Sequence, residues 1–122
     1  MTAPRPLEIR LRKDRRTLHV SFDNGETADL PAEYLRVNSP SAEVQGHSPD
    51  QRQTVCGKRN VEIIKLEPIG HYALRIVFDD MHDTGLYSWA YLLELSRGQA
   101  EKWAGYLAEL DEKGLSRDPP DR

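Results

Sequence analysis

The chain has 122 residues, of which 38% are hydrophobic and 30% are charged, the size and composition of one globular domain with its own core. Its formal net charge of −3 argues against a nucleic-acid-binding protein, because neutralising phosphates requires clustered lysine and arginine. The single cysteine, Cys56, excludes an internal disulfide and a zinc site built from several cysteines. Because no apolar run approaches the ~20 residues of a membrane span and the first residues lack a signal-peptide core, we expect a cytoplasmic protein.

Three short strands are predicted at the beginning of the chain. Apolar and polar residues alternate over 7–11 and again over 18–22, the pattern of half-buried strands. Asn24-Gly25 supplies the two positive-φ residues of a type I′ turn, so a third strand should follow over residues 26–30. The apolar side chains of the first strand should share one face; they are Leu7, Ile9 and Leu11.

A long polar segment follows these strands. Pro31 can open one helical turn over 31–36, because its fixed φ suits the first helical position. Residues 38–59 contain many turn formers and few apolar side chains. They predict a surface loop longer than most loops of compact domains, and such a loop is either functional or mobile.

A second hairpin and two helices are predicted next. Apolar residues dominate 61–66 and 72–78, and residues 84–87 form a short return strand. Ser88 can cap a first helix, and the spacing of Ser96 and Gln99 predicts a capping box for a second.

These elements predict one α+β domain, with small antiparallel sheets and C-terminal helices. The sheets are the N-terminal three-stranded meander and the second hairpin. The last helix should end near Gly114, because glycine favours the left-handed conformation that terminates helices. We expect the domain to cover residues 1–115, with the long loop at 38–59, and residues 116–122 to form a disordered tail.

Few residues have the chemistry of a catalytic or metal site. His19 and His71 are predicted to be surface histidines, and Cys56 lies in the long loop without an adjacent base that would activate its thiol. Asp80-x-His82 has two residue types of an iron-binding facial triad, but that triad requires a second histidine from elsewhere. We therefore interpret Asp80-x-His82 as part of a polar turn.

Three segments together resemble a known family. They are residues 18–25, 31–41 and 72–92. The last segment contains the pattern Asp80-x-His82-x-Thr84-Gly85-x-Tyr87-Ser88-Trp89. Over roughly residues 6–98 the chain resembles the gamma-butyrobetaine hydroxylase-like N-terminal domain family, which in its stand-alone bacterial form is a domain of unknown function.

The resemblance implies a metal site that has lost its ligands. In the hydroxylases this domain precedes a catalytic domain that uses 2-oxoglutarate and iron, and it holds a structural zinc through three cysteines and one histidine. Carried over to this sequence, the histidine is His82, and the cysteine positions fall on Ser39, on Ser41 and at about Val44. Hydroxyl and aliphatic groups cannot replace thiolates on zinc, and we expect the catalytic domain to be absent.

A site without its cysteines leaves two interpretations open. In one, the loop has lost its metal, and we predict no cofactor. In the other, His47, Cys56 and His82 form a new site for iron or zinc, since they are three ligands of suitable type. The spacing of these three residues matches no known ligand pattern.

The resemblance favours a non-catalytic accessory domain that binds another protein or a second copy of itself. Relatives fused to P-loop iron–sulfur carrier proteins imply the alternative, a metal-binding accessory protein in iron–sulfur cluster or iron-enzyme biology. Aromatic residues and arginine are typical interface anchors. We therefore expect Arg36, His82 and Tyr91, beside the loop 38–59, to form the partner-binding surface.

Overall fold

The computed structural model describes residues 4–46 and 49–119 and contains two antiparallel sheets. The first sheet consists, in spatial order, of β1 (Pro6–Leu11), β2 (Thr17–Phe22) and β3 (Thr27–Pro31). The second consists, again in spatial order, of β4 (Ile63–Ile69), β5 (Ala73–Phe78) and β6 (Leu86–Ser88). The α+β fold predicted from the sequence is confirmed.

The helices lie between the sheets in sequence and at the end of the chain. In chain order they are α1 (Ala32–Val37), α2 (Ala42–Gln45), α3 (Trp89–Arg97) and α4 (Gln99–Lys113). The long loop therefore contains α2, and it also contains a 3-10 turn at Pro49–Gln51. Over the ranges that the structure describes, none of these helices is long and apolar enough to cross a membrane.

The core lies between the two sheets and α3. Tyr34 donates a hydrogen bond from its buried hydroxyl to the Leu95 carbonyl oxygen, at 2.6 Å, and so ties α1 to α3. Fully burying each large apolar side chain contributes ~1.5–3 kcal/mol, which makes this shared core the main source of stability. The side chains that fill it include Leu18, Val20, Phe22, Leu35, Ile63, Ile76, Phe78, Tyr87 and Leu92.

The turn between β2 and β3 differs from the predicted type I′ turn. Only Gly25 has a positive φ, of 91°, whereas Asn24 does not. The Phe22 N–H donates to the Glu26 carbonyl oxygen at 2.8 Å, and the Gly25 N–H donates to the Phe22 carbonyl oxygen at 3.1 Å. The loop thus has three residues with glycine in the left-handed position, which is the next most common hairpin connection.

The two helix starts differ in how they are capped. The Ser88 side chain accepts a hydrogen bond from the Tyr91 N–H at 3.1 Å, which confirms the predicted cap of α3. The predicted capping box is wrong, because Ser96 lies inside α3 and donates its hydroxyl to the Leu92 carbonyl oxygen at 2.7 Å. Gly98 stands at the N-cap of α4 instead, without a side-chain cap.

Leu7 does not share the inward face of β1. The pairing of β1 with β2 shifts between Pro6 and Glu8, so Leu7 is the extra residue of a β-bulge. A bulge breaks the two-residue alternation of a strand, and the Leu7 side chain is 75% exposed while Ile9 and Leu11 pack against the core. The predicted common face therefore holds for Ile9 and Leu11 only.

The beginning of the predicted disordered tail is ordered. The Gly57 N–H donates to the Ser116 carbonyl oxygen, and the Arg59 N–H donates to the Arg117 carbonyl oxygen, both at 2.9 Å. Arg117 also makes two hydrogen bonds to the buried Glu33 carboxylate, at 2.8 and 2.7 Å. Because Glu33 needs this buried charge partner, residues 116–118 are held against the domain.

Candidate functional site

A buried polar cluster joins the start of the long loop to the turn between β5 and β6. The His82 Nε2 atom lies 2.8 Å from the Ser39 Oγ and 3.3 Å from the Ser41 Oγ. On the opposite side of the ring, the Nδ1 atom lies 3.3 Å from an oxygen of Glu43. The Thr84 hydroxyl donates to the other Glu43 oxygen at 3.1 Å. These contacts bring together two of the three segments that carried the family resemblance, namely 31–41 and 72–92.

The surroundings of His82 favour its neutral form. Burial lowers the pKa of His82 below its ordinary value of 6.5, and the positive charge of Arg36 lowers it further. The Glu43 carboxylate accepts a hydrogen bond from Nδ1, so the neutral ring carries its proton on that nitrogen. Nε2 is then free to accept the hydrogen bond of the Ser39 hydroxyl.

The order serine, histidine, carboxylate resembles the hydrogen-bonded chain of serine hydrolases. Such chemistry requires a nucleophile that the substrate can reach. Ser39 is fully buried, and a Cβ atom placed on Gly85 would lie only 2.5 Å from its Oγ. Gly85 therefore covers the Ser39 hydroxyl so closely that the Cβ atom of any other residue would clash with it. The hydrogen bonds that join Ser39, His82 and Glu43 act as a structural cross-link.

The residues of this cluster do not fit a structural zinc ion. The cysteine positions implied by the family resemblance hold hydroxyls at Ser39 and Ser41 and an aliphatic side chain at Val44, which is buried. Zinc in a structural site takes four thiolate or imidazole ligands. Hydrogen bonds to both serines instead occupy the Nε2 atom of His82.

The alternative metal site is not assembled among the described residues. Cys56 packs against a separate apolar cluster formed by Val37, Tyr106 and Leu110. Within residues 4–46 and 49–119, no group of three or more histidine, cysteine or acidic side chains could hold a metal ion. His47, the third ligand of the predicted rebuilt site, lies outside the described residues.

Arg36 is largely buried and forms an ion pair with Asp80. Its Nε donates to a carboxylate oxygen of Asp80 at 2.8 Å, and Lys58 Nζ approaches the same oxygen at 2.7 Å. Burial raises the pKa of Asp80, but the hydrogen bonds from Lys58 and Arg36 outweigh it, so the pKa lies below the ordinary value of 3.8. The other Asp80 oxygen accepts the His82 N–H at 3.2 Å, which couples this ion cluster to the histidine.

Tyr91 lies on a groove between the long loop and the last two helices. Its half-buried hydroxyl donates to the Asn38 carbonyl oxygen at 2.6 Å, and burial raises its pKa to about 12. The groove, which we call the Tyr91 groove, encloses about 460 Å³. Its lining residues are Val37, Asn38, Gln45, Arg52, Tyr91, Glu94, Lys102, Gly105, Tyr106 and Glu109.

Two ion pairs lie along the Tyr91 groove. Arg52 from the long loop contacts Glu109 of α4 at 2.6 Å, and Lys102 contacts Glu94 at 3.3 Å. The Tyr106 hydroxyl donates to the Val55 carbonyl oxygen at 2.7 Å. Both tyrosines of the groove therefore donate a hydrogen bond to a backbone carbonyl of the long loop. The groove therefore has an aromatic wall and a mixed-charge rim.

The structure separates the three residues predicted to bind a partner. Tyr91 lines the groove, whereas His82 is buried and Arg36 is largely covered by its contact with Asp80. Sequence reasoning missed Glu43 and Lys58, which contact His82 and Asp80 from the long loop. No local pattern marks either residue, because both contacts join positions that are distant in sequence.

A larger groove, of about 550 Å³, lies between α1 and the start of α4. Its lining includes Tyr34, Arg97 and Trp103, and none of the sequence-predicted site residues contributes to it. Of these two grooves, only the Tyr91 groove is lined by both the long loop and Tyr91, which the sequence singled out.

Comparisons with known proteins identify relatives along most of the chain. The family model described as gamma-butyrobetaine hydroxylase-like, N-terminal, matches residues 9–93. Two NMR solution structures share 48% and 45% sequence identity, cover 99% of this chain and 95% and 93% of their own, and superpose with TM-scores of 0.84 and 0.82. The comparison with curated proteins found no match.

A crystal structure from Acidithiobacillus ferrooxidans ATCC 23270 is also similar to the chain. It is described as a protein of unknown function of the DUF971 family. It shares 38% identity over 75% of this chain and 92% of its own, with a TM-score of 0.63. The similarity therefore extends to a protein for which no activity is stated.

Proposed function

Because the chain belongs to the gamma-butyrobetaine hydroxylase-like N-terminal domain family, whose model matches residues 9–93, we propose that it is a non-catalytic domain that binds another protein through the Tyr91 groove. The observation that carries this proposal is that Tyr91 and the long loop, which the sequence singled out separately, line one groove. An aromatic wall inside a charged rim has the composition of a protein-binding surface.

The buried cluster supports this surface from below. His82 holds Ser39 and Ser41, and the segment that follows them contributes Gln45 to the groove. Arg36 donates a hydrogen bond to one carboxylate oxygen of Asp80, and the other Asp80 oxygen accepts the His82 N–H. Arg36 thereby helps to position His82. In this proposal Tyr91 contacts the partner, while Arg36 and His82 position the loop beside it.

Gly105 provides a direct test of the groove. A Cβ atom at this position of α4 would have no neighbour within 4 Å, so a large side chain there can enter the groove without disturbing the core. We propose affinity capture from the native cell extract with three baits, namely the wild-type chain, Gly105→Trp and Gly105→Ala. The alanine variant is the matched control, because it adds a side chain to the helix without filling the groove.

The expected result is a partner that is captured by the wild-type chain and by Gly105→Ala but is lost with Gly105→Trp. Tyr91→Ala should also weaken its capture, because it removes the aromatic wall. A partner captured equally by the wild-type chain, Gly105→Ala, Gly105→Trp and Tyr91→Ala would contradict the assignment of the surface. Elemental analysis of the same purified chain tests the metal-binding alternative, which requires a stoichiometric amount of iron or zinc.

A further inference from the structure

β1 is an edge strand with unused backbone hydrogen-bonding groups. Among the described strands it pairs with β2 alone, and the Arg12 N–H donates to the Thr17 carbonyl oxygen at 3.0 Å. In an antiparallel ladder, alternate residues direct N–H and C=O toward the neighbouring strand. The backbone N–H and C=O groups of Arg10 and Arg12 therefore point toward β2. Those of Ile9 and Leu11 point away from the sheet.

The edges of the other longer strands are blocked. On β3, the Gln99 side chain donates to the Asp29 carbonyl oxygen at 3.2 Å. On β4, the Arg15 guanidinium donates to the carbonyl oxygens of Ile63 and Ile64 at 3.3 and 3.0 Å, and Pro68 lacks an N–H donor. Among the described edge strands of five or more residues, β1 is thus the one whose outward backbone groups make no hydrogen bond to a described side chain.

The sequence of β1 is complementary to itself in the antiparallel direction. If two copies of the strand pair around a two-fold axis at Ile9, Glu8 of each copy lies opposite Arg10 of the other, and the two Ile9 residues lie opposite each other. Opposite charges and apolar pairs at facing positions stabilise antiparallel strands. The same register directs the backbone groups of Ile9 toward their counterparts in the second copy.

The side chains of this edge lack partners within the described chain. The Arg10 guanidinium makes no hydrogen bond or ion pair with any residue that the structure describes. Among the described residues, the Glu8 carboxylate approaches only His19 Nε2, at 3.9 Å. Leu7 is 75% exposed because of the bulge. A cation, an anion and an aliphatic side chain are therefore available at the open edge.

We propose that the chain self-associates by antiparallel pairing of β1 with β1 of a second copy, which joins two three-stranded sheets into one six-stranded sheet. The bulge at Leu7 limits the continuous ladder to a few residues, which makes the pairing weak and reversible. This interface lies on the first sheet and shares no residue with the Tyr91 groove. A heterologous partner and a second copy can therefore bind at the same time.

Charge exchange tests this register. Sedimentation equilibrium would compare the wild-type chain, Glu8→Arg, Arg10→Glu and the double variant Glu8→Arg/Arg10→Glu. In the two-fold register, each single variant places like charges opposite each other twice, so we expect dimerisation to weaken at least about tenfold. The double variant restores opposite charges at both positions and should dimerise like the wild-type chain.

Glu101→Arg is the matched control for Glu8→Arg. It makes the same change of charge on α4, at a position that makes no ion pair with any described residue, and should leave dimerisation unchanged. Three results would overturn the proposal: a wild-type chain that stays monomeric up to about 1 mM, a double variant that stays as weak as the single ones, or a Glu101→Arg variant that dimerises as weakly as Glu8→Arg.

Discussion

Ser39 and His82 are 43 positions apart in sequence, yet the serine Oγ lies 2.8 Å from the histidine Nε2 inside the protein. This hydrogen bond connects the start of the long loop to the turn between β5 and β6. It occupies Nε2 of His82, the residue at which the family resemblance implies a zinc-binding histidine. The chain therefore has a hydrogen-bonded cross-link where the family resemblance implies a metal ion.

Removing the Ser39 hydroxyl should destabilise the protein. Ser39→Ala removes the shorter of the two hydrogen bonds at Nε2 of the buried His82, and a hydrogen bond within a protein typically contributes about 0.5–1.5 kcal/mol. Urea denaturation would measure the change in the free energy of unfolding. Ser41→Ala should cost less, because its contact with Nε2 is longer, at 3.3 Å. Equal stability of Ser39→Ala and the wild-type chain would show that the cross-link is unimportant.

The purified chain should fold without added metal and hold no stoichiometric zinc. Its core consists of the two sheets and the helices, and Ser39, Ser41 and Val44 supply no thiolate. Elemental analysis and thermal unfolding with and without a chelator would measure this. The triple variant Ser39→Cys/Ser41→Cys/Val44→Cys is the positive control, which we expect to bind zinc. About one zinc per wild-type chain, lost together with the fold on chelation, would contradict the prediction.

Stability should fall as the pH drops below the ordinary pKa of histidine. Burial and the charge of Arg36 place the pKa of His82 below 6.5 in the folded chain, so the unfolded chain binds the proton first as the pH falls. Between the two pKa values the unfolded state carries more protons, which lowers the free energy of unfolding with decreasing pH. Below the folded pKa this effect levels off.

Urea denaturation at about pH 7.5 and about pH 5.5 would measure this dependence. His82→Gln should reduce the difference between the two pH values, and His71→Gln, at an exposed position, is the matched control. An unchanged difference in His82→Gln would assign the pH dependence to other groups.

The end of the chain should contribute to stability. Truncation after residue 115 removes Arg117, which makes two hydrogen bonds to the buried Glu33 and lies 5.0 Å from the centre of the Trp103 ring. Leaving Glu33 without its partner should cost about 1–3 kcal/mol, measured by thermal or urea unfolding. Arg117→Ala should reproduce most of that loss.

The matched control for Arg117→Ala is Arg97→Ala. Arg97 pairs with Glu26 at the surface, and exposed ion pairs typically contribute about 0–1 kcal/mol. If the truncated chain is as stable as the full chain, residues 116–118 behave as the disordered tail that the sequence predicted.

The sequence by itself determined the elements that depend on local patterns. The alternation over 18–22 predicted β2, because strand faces repeat every two residues. Ser88 predicted the start of α3, because its hydroxyl can accept a first-turn N–H. The motif residues predicted the family, which the match over 9–93 confirms.

Tertiary structure decided which side chains meet. Glu43 contacts His82 and Arg117 contacts Glu33 across the fold, and no periodicity encodes contacts between such distant positions. The bulge at Leu7 was also beyond local patterns, since one extra residue in a strand depends on its pairing with β2. His82, which the sequence placed on a surface, is buried, and its Nε2 contacts Ser39, a residue 43 positions away in sequence.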